Sequence, residues 1–211
     1  ERDDDVEAIA DLTLRTLATG RKLNPKAKVN TGVSTFVPKP FTPFQWAAQL
    51  GLQETERRQK ILDRHFYRNP GVRFGRHNPA TTLIEGMVSR ADRRAADLIE
   101  GAFRMGARFE GWDGHLDLDT WLAAAERAGT DIDFELRERR LDERLPWDHI
   151  DILMPKQWFQ DDWQRAVELK HAPDCRHHKC HKCGVIDVER DLCASMLRTS
   201  IEGRKSEKVW E

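Results

Sequence analysis

Three prolines fall within six residues in Pro38-Lys39-Pro40-Phe41-Thr42-Pro43. Proline has no backbone N–H and a fixed φ, so this stretch can neither join a β-ladder nor continue a helix. What precedes it must end there. Lys28 to Val37 is rich in β-branched residues with rough alternation and reads as a strand. Further upstream, Val6, Ile9, Ala10, Leu14 and Leu17 recur at helical spacing over residues 2 to about 20. Asp3, Asp4 and Asp5 suit the positive end of that helix, and Gly20 supplies a stop. A helix followed by a strand is the repeating unit of an α/β sheet or barrel. Ligands bind such folds at the carboxyl ends of the strands. The stiff Pro38-to-Trp46 loop is therefore either a ligand border or a rigid connector whose aromatics cover the core.

The rest of the chain reads as mainly helical. Ile61, Leu62 and Phe66 give a helix from Gln53 to Tyr67, and Val72 to Gly75 forms a short strand. Pro79 opens a helical region that breaks near Ser89 to Asp92 and ends at Gly106. Arg108 to Asp113 is a short strand or turn. Asp117 or Asp119 caps a helix built on Trp121, Leu122, Ala125 and Ala128 and stopped by Gly129. Further helices cover Ile132 to Arg140, Pro155 to Leu169 and Val188 to Thr199. Three segments follow, 1–77 as α/β, 78–170 as a helical extension and 171–211 as a cysteine-rich end.

Charged residues make up 34% of the 211, yet they nearly cancel to a net charge of -1. Any basic surface must then be local. Arg57, Arg58, Lys60, Arg64, Arg68, Arg73 and Arg76, with His65 and His77, form such a patch. It could face RNA phosphates, or it is a solvated helix face matched by Glu54, Glu56 and Asp63. No run of about 18 apolar residues occurs, which excludes a membrane-spanning helix. The acidic start has neither the basic nor the apolar region of a secretion signal, and a cytoplasmic location is expected. The chain reads as a piece of something longer.

Asp174-Cys175-Arg176-His177-His178-Lys179-Cys180-His181-Lys182-Cys183-Gly184 holds three of the four cysteines. Thiolates bind soft or borderline metals, and the Cys180-x2-Cys183 spacing lets both sulfurs reach one ion. Cys175, Cys180 and Cys183 are expected to share one centre, with Cys193 or one of His177, His178 and His181 as fourth ligand. Zinc accepts mixed ligation, whereas most iron–sulfur clusters take four cysteines, and both stay open. Reduced, inert cysteines in a basic loop, or a disulfide pair, are the alternatives. His149, between Asp148 and Asp151, and the group Trp112, Asp113 and His115 could each orient an imidazole for acid–base work or be histidines satisfied by a neighbouring carboxylate.

Two stretches resemble radical S-adenosylmethionine enzymes. Glu1-Arg2-Asp3-Asp4-Asp5-Val6 resembles the start of a late barrel helix, and Val33-Ser34-Thr35-Phe36-Val37-Pro38-Lys39-Pro40-Phe41-Thr42-Pro43-Phe44 resembles the last barrel strand and its loop. Ser89 to Arg94, Phe109 to Trp112, Leu145 to Ile150 and the Asp174-to-Gly184 loop narrow the match. Together they resemble the uncharacterised radical-SAM family that carries an N-terminal cobalamin (B12)-binding-like domain.

The resemblance implies an α/β fold, the C-terminal part of a partial (β/α) radical-SAM barrel followed by a helical extension with a metal knuckle. Ser34, Thr35, Phe36 and Val37 would lie beside the adenine of S-adenosylmethionine, and Pro38, Lys39 and Pro40 would border the substrate. The Cys-x3-Cys-x2-Cys motif that holds the catalytic 4Fe-4S cluster is absent here. The missing N-terminal half of the barrel is thus an implied partner. Its cluster would reduce the sulfonium and release a 5′-deoxyadenosyl radical that takes a hydrogen atom from substrate. The cysteine loop departs from the family pattern, because Ile186 stands where members often have a last cysteine.

Overall fold

Helix α1 spans Asp3–Leu23, and the Asp5 carboxylate accepts the Arg2 backbone N–H at 2.7 Å to close its first turn. The computed structural model describes residues 1–112 and 114–172. The expected stop at Gly20 does not occur. Gly20 stays helical, and its carbonyl accepts the N–H of Asn24 at 2.9 Å beyond the helix end. A hydrogen bond is thus kept there despite the weak helix propensity of glycine.

Strand β1 is Val29–Val33, shorter than the expected Lys28-to-Val37 strand. Its partner sets the length. Helix α2 (Leu52–Phe66) leads to β2 (Val72–Arg76), which pairs with β1 in parallel from Val29↔Val72 to Val33↔Arg76. After Arg76 the chain turns into α3 (Pro79–Arg90), where the Asn78 side chain accepts from Ala80 N at 2.9 Å and Pro79 fills the first turn. Ser34 and the residues after it therefore have no strand to pair with among the described residues. One face of the sheet, with Val33, Val72 and Phe74, packs on Val6 and Ala10 of α1 and Leu62 and Phe66 of α2.

Helix α4 (Ala95–Arg104) and α5 (Leu118–Ala128) complete a second core with α3, made by Met87, Leu98, Ala102, Trp121, Ala124 and Ala125. Asp117 is the cap, its carboxylate accepting from Asp119 N at 3.2 Å. Gly129 ends α5 at φ 64, a left-handed conformation that glycine adopts without steric cost. Arg108 to Trp112 forms turns, not a strand, with Phe109 at φ 59. Helix α6 is only Ile132–Leu136, because the chain becomes extended at Arg137.

The charged side chains of Arg90, Glu135 and Arg139 are buried. Arg90 Nε donates to the Glu135 carbonyl at 2.6 Å, Nη1 to Ala47 O at 2.9 Å and Nη2 to Arg137 O at 2.7 Å. Arg139 Nη2 donates to Arg90 O and to Glu135 Oε2, both at 2.7 Å. Beside them Gln49 donates from its backbone to Leu136 O and from Nε2 to Thr82 O, each at 2.9 Å. Gly86 makes room for that amide, since a Cβ there would lie 2.2 Å from Gln49 Oε1.

These elements form one compact unit, Glu1–Lys39 with Ala47–Arg139. Asn78, where the sequence suggests a division, lies inside it. A second unit joins Pro40–Trp46 to the chain from Arg140 onward. Its described part centres on Trp46, Leu145, Trp147 and Phe159, the last from α7 (Lys156–Val167), which begins after Pro155 as expected. A short 3-10 helix, Pro43–Trp46, packs against α7, with Phe44 edge-on to Trp163 at 5.7 Å. No helix among the described residues is long and apolar enough to cross a membrane.

Candidate functional site

Two places bear the residues singled out from the sequence, one in each unit. In the first, the chain leaves the carboxyl ends of β1 and β2. Ser34 and His77 follow those ends directly, with Ser34 Oγ 3.5 Å from His77 Nε2. Gln59 Nε2 of α2 donates to the His77 carbonyl at 2.9 Å and steadies that turn. Phe36 is 53% exposed, while Pro38 is fully buried and so anchors the loop. Lys39 meets the Glu85 carboxylate of α3. Ser34 and His77 thus meet at the edge where α/β folds bind ligands, and Phe36 and Lys39 follow on the loop that leaves it.

In the second unit, the Pro40–Trp46 segment and the Leu145-to-Phe159 stretch enclose a half-open cleft of about 410 Å³. Gln45 is its polar anchor. Its Oε1 accepts from Phe41 N at 3.2 Å and Trp147 Nε1 at 2.6 Å. No local pattern marks this residue, since its indole partner lies 102 positions away. At the rim, Asp148 Oδ2 accepts from Leu145 N at 2.8 Å and Lys156 Nζ at 2.7 Å. Asp151 Oδ1 accepts from Leu153 N at 2.7 Å. The imidazole of His149 lies against neither carboxylate, and its Nδ1 sits 2.9 Å from the Pro146 carbonyl. Both acids are taken up by bonding to other groups of this stretch, so His149 is neither oriented for acid–base work nor satisfied by a neighbouring carboxylate. Phe41 and Leu153 hold left-handed φ of 55 and 61. For bulky residues that conformation is strained, of order 1–3 kcal/mol each.

Cys175, Cys180, Cys183 and Cys193, with His177, His178 and His181, lie outside the described residues. So does Asp113, while Trp112 is exposed and His115 lies edge-on to Phe109 at 6.2 Å. Among the described residues no group of three or more His, Cys, Asp or Glu side chains is arranged to hold a metal ion. No protein-family model, curated protein or solved structure matches this chain.

The basic patch is largely paired at its centre. Arg57 bridges Asp3 at 2.6 Å and Glu54 at 2.7 Å, Arg58 meets Glu54 at 2.8 Å and Glu1 at 3.2 Å, and Arg76 meets Asp63. The hydrogen bonds from Arg57, and then Arg58, hold the Glu54 carboxyl down to about 2 from its ordinary 4.5. Arg57 also lowers Asp3. These lowered carboxylates favour the folded state above their ordinary values and lose that contribution as pH falls through the lowered ones. The melting temperature of the protein should thus fall between pH 4.5 and about 2 more steeply than that of Glu54→Gln. Parallel melting profiles for the two would contradict this linkage.

Proposed function

We propose that this chain is the C-terminal part of a radical S-adenosylmethionine enzyme, with an auxiliary metal or iron–sulfur site in the cysteine loop. The supporting observation is the parallel β1-α2-β2 unit, whose carboxyl edge carries the very segment that resembles the superfamily's last barrel strand and loop. A parallel pair joined through a helix is the building block of α/β barrels. The exposed Phe36 ring and the Ser34 hydroxyl beside His77 form a donor set suited to a purine ring. In this reading Ser34 to Val37 line the adenine side of S-adenosylmethionine, and Pro38, Lys39 and Pro40 border the substrate. The cofactor would supply a carbon radical for hydrogen abstraction, with its catalytic cluster held by cysteines this chain lacks.

An RNA-binding zinc module has less support, because three of the patch arginines already serve carboxylates. Anaerobic purification separates the readings. The 211-residue chain should carry a metal centre that Cys180→Ser abolishes, and it should release no 5′-deoxyadenosine from S-adenosylmethionine under reducing conditions. Full metal retention in Cys180→Ser would remove the auxiliary site. Release of 5′-deoxyadenosine by this chain alone would overturn the assignment of the cluster to a missing half.

A further inference from the structure

Strand β2 has a neighbour on one side only. Among the described residues the sheet is the pair β1-β2, so the other edge of β2 is open. The register says which groups that edge presents. Val29 N donates to Gly71 O at 2.8 Å, so the slanted bonds of a parallel pair turn the N–H and C=O of Arg73 and Gly75 toward β1. The N–H and C=O of Phe74, between them, point the other way, as do the Val72 carbonyl and the Arg76 N–H. Such a row is a template for a further strand.

Both faces beside this edge have room for side chains. An open groove of about 730 Å³ lies between β2 and the end of α2. Phe66 and Phe74 line it, their rings 5.1 Å apart. Val72 and Phe74 face the helices, so strand alternation puts Arg73 and Gly75 on the opposite face. That face is bare, since a Cβ at Gly75, or at its cross-strand partner Gly32, would meet nothing within 4 Å among the described residues.

Charge selects what can pair there. Arg64 and Arg68 line the groove from α2, and with Arg73 they are exposed and meet no carboxylate among the described residues. Asp63, the acid that lines the groove, is already taken by Arg76. Three unpaired cations around one edge repel a second copy of that edge and suit a chain of carboxylates. RNA phosphates would meet the same arginines, but they only accept. They would leave the Val72 and Phe74 carbonyls without donors, whereas a peptide backbone serves both kinds of group.

We propose that the open edge of β2 takes up an extended acidic peptide of another protein as an added strand. Apolar, β-branched residues of the peptide enter the groove over Phe66 and Phe74, and its carboxylates meet Arg64, Arg68 and Arg73. This site goes beyond the radical reading, which puts the missing strands elsewhere. Helices α1 and α2 cover the same face of the sheet, and successive right-handed crossovers on one face step in one direction. A strand feeding α1 would therefore lie on the far side of β1.

The probe is fluorophore-labelled acetyl-(Glu-Val)4-amide, titrated into the 211-residue chain and followed by anisotropy, with amide hydrogen exchange on the mixture. Saturable binding is expected below about 1 mM, weakening with added salt. Exchange at the Phe74 and Arg76 amides should slow, since both donate to the added strand. Acetyl-(Glu-Pro)4-amide keeps the charges but cannot pair, and it should bind far more weakly. The double variant Arg64→Ala/Arg68→Ala changes exposed side chains only, and it should bind the first peptide about fivefold more weakly, the worth of two exposed ion pairs. The proposal is overturned by absence of saturable binding up to about 1 mM, or by the proline peptide or an oligouridylate binding as tightly as the first peptide. Phe74 and Arg76 amides that exchange as before, or an unchanged affinity in the double variant, would equally overturn it. None of these outcomes bears on the metal and 5′-deoxyadenosine tests of the radical reading.

Discussion

Arg90 is the interaction on which the larger unit depends. A guanidinium with no exposure cannot keep its hydration shell, and stripping a charge of water costs several kcal/mol unless partners replace the water. Here the replacement is three backbone carbonyls, from Ala47, Glu135 and Arg137. The planar fork of arginine suits this task, since its donors point in fixed directions. A lysine has the charge but not the geometry. Arg139 closes the arrangement by donating to the Arg90 carbonyl and to the Glu135 carboxylate. The end of α3, the segment entering at Ala47 and the extended chain after α6 are thereby fixed together. Neither α6, at five residues, nor the segment around Ala47 would hold its place by helix propensity alone.

That rigidity matters for the sheet edge. The two strands are five residues each, and a sheet so small draws its stability from the helices packed on one face. The α1 and α2 side chains provide this through Val6, Ala10, Leu62 and Phe66. Ser34, Phe36 and His77 then leave a supported edge, where polar and aromatic groups can serve a ligand without carrying the core. The cleft in the second unit follows the same division of labour. Trp46, Leu145 and Phe159 make the core, while Gln45 ties Phe41 to Trp147 through its side-chain oxygen and His149 stays exposed beside the Pro146 carbonyl.

Much of this was legible in the sequence where local chemistry decides structure. The apolar spacing of Ile61, Leu62 and Phe66 located α2 to within a residue, and Asp117 and Gly129 bounded α5 as capping rules require. Strand length was not legible, because it depends on where Arg76 ends the partner strand and Asn78 starts a helix. The buried charges were equally hidden. Arg90 sits among Ser89, Ala91, Asp92, Arg93 and Arg94, a run that reads as solvated surface. Its partners are 43 to 47 residues away, and no periodicity encodes them. Gln45 is hidden for the same reason, its Trp147 partner lying 102 residues away. For His149, proximity in sequence favours Asp148 and Asp151 as partners, while the turn geometry delivers the Pro146 carbonyl.

The most direct measurement is the unfolding free energy of Arg90→Met, followed with amide hydrogen exchange. Methionine fills similar space but leaves three carbonyls without their donor, so a loss of about 3 kcal/mol or more is expected. Exchange protection should fall together at α6 and at Gln49, whose backbone N–H bonds the Leu136 carbonyl. A loss below about 1 kcal/mol, or protection at α6 and Gln49 that stays as in the parent chain, would contradict the role given to Arg90.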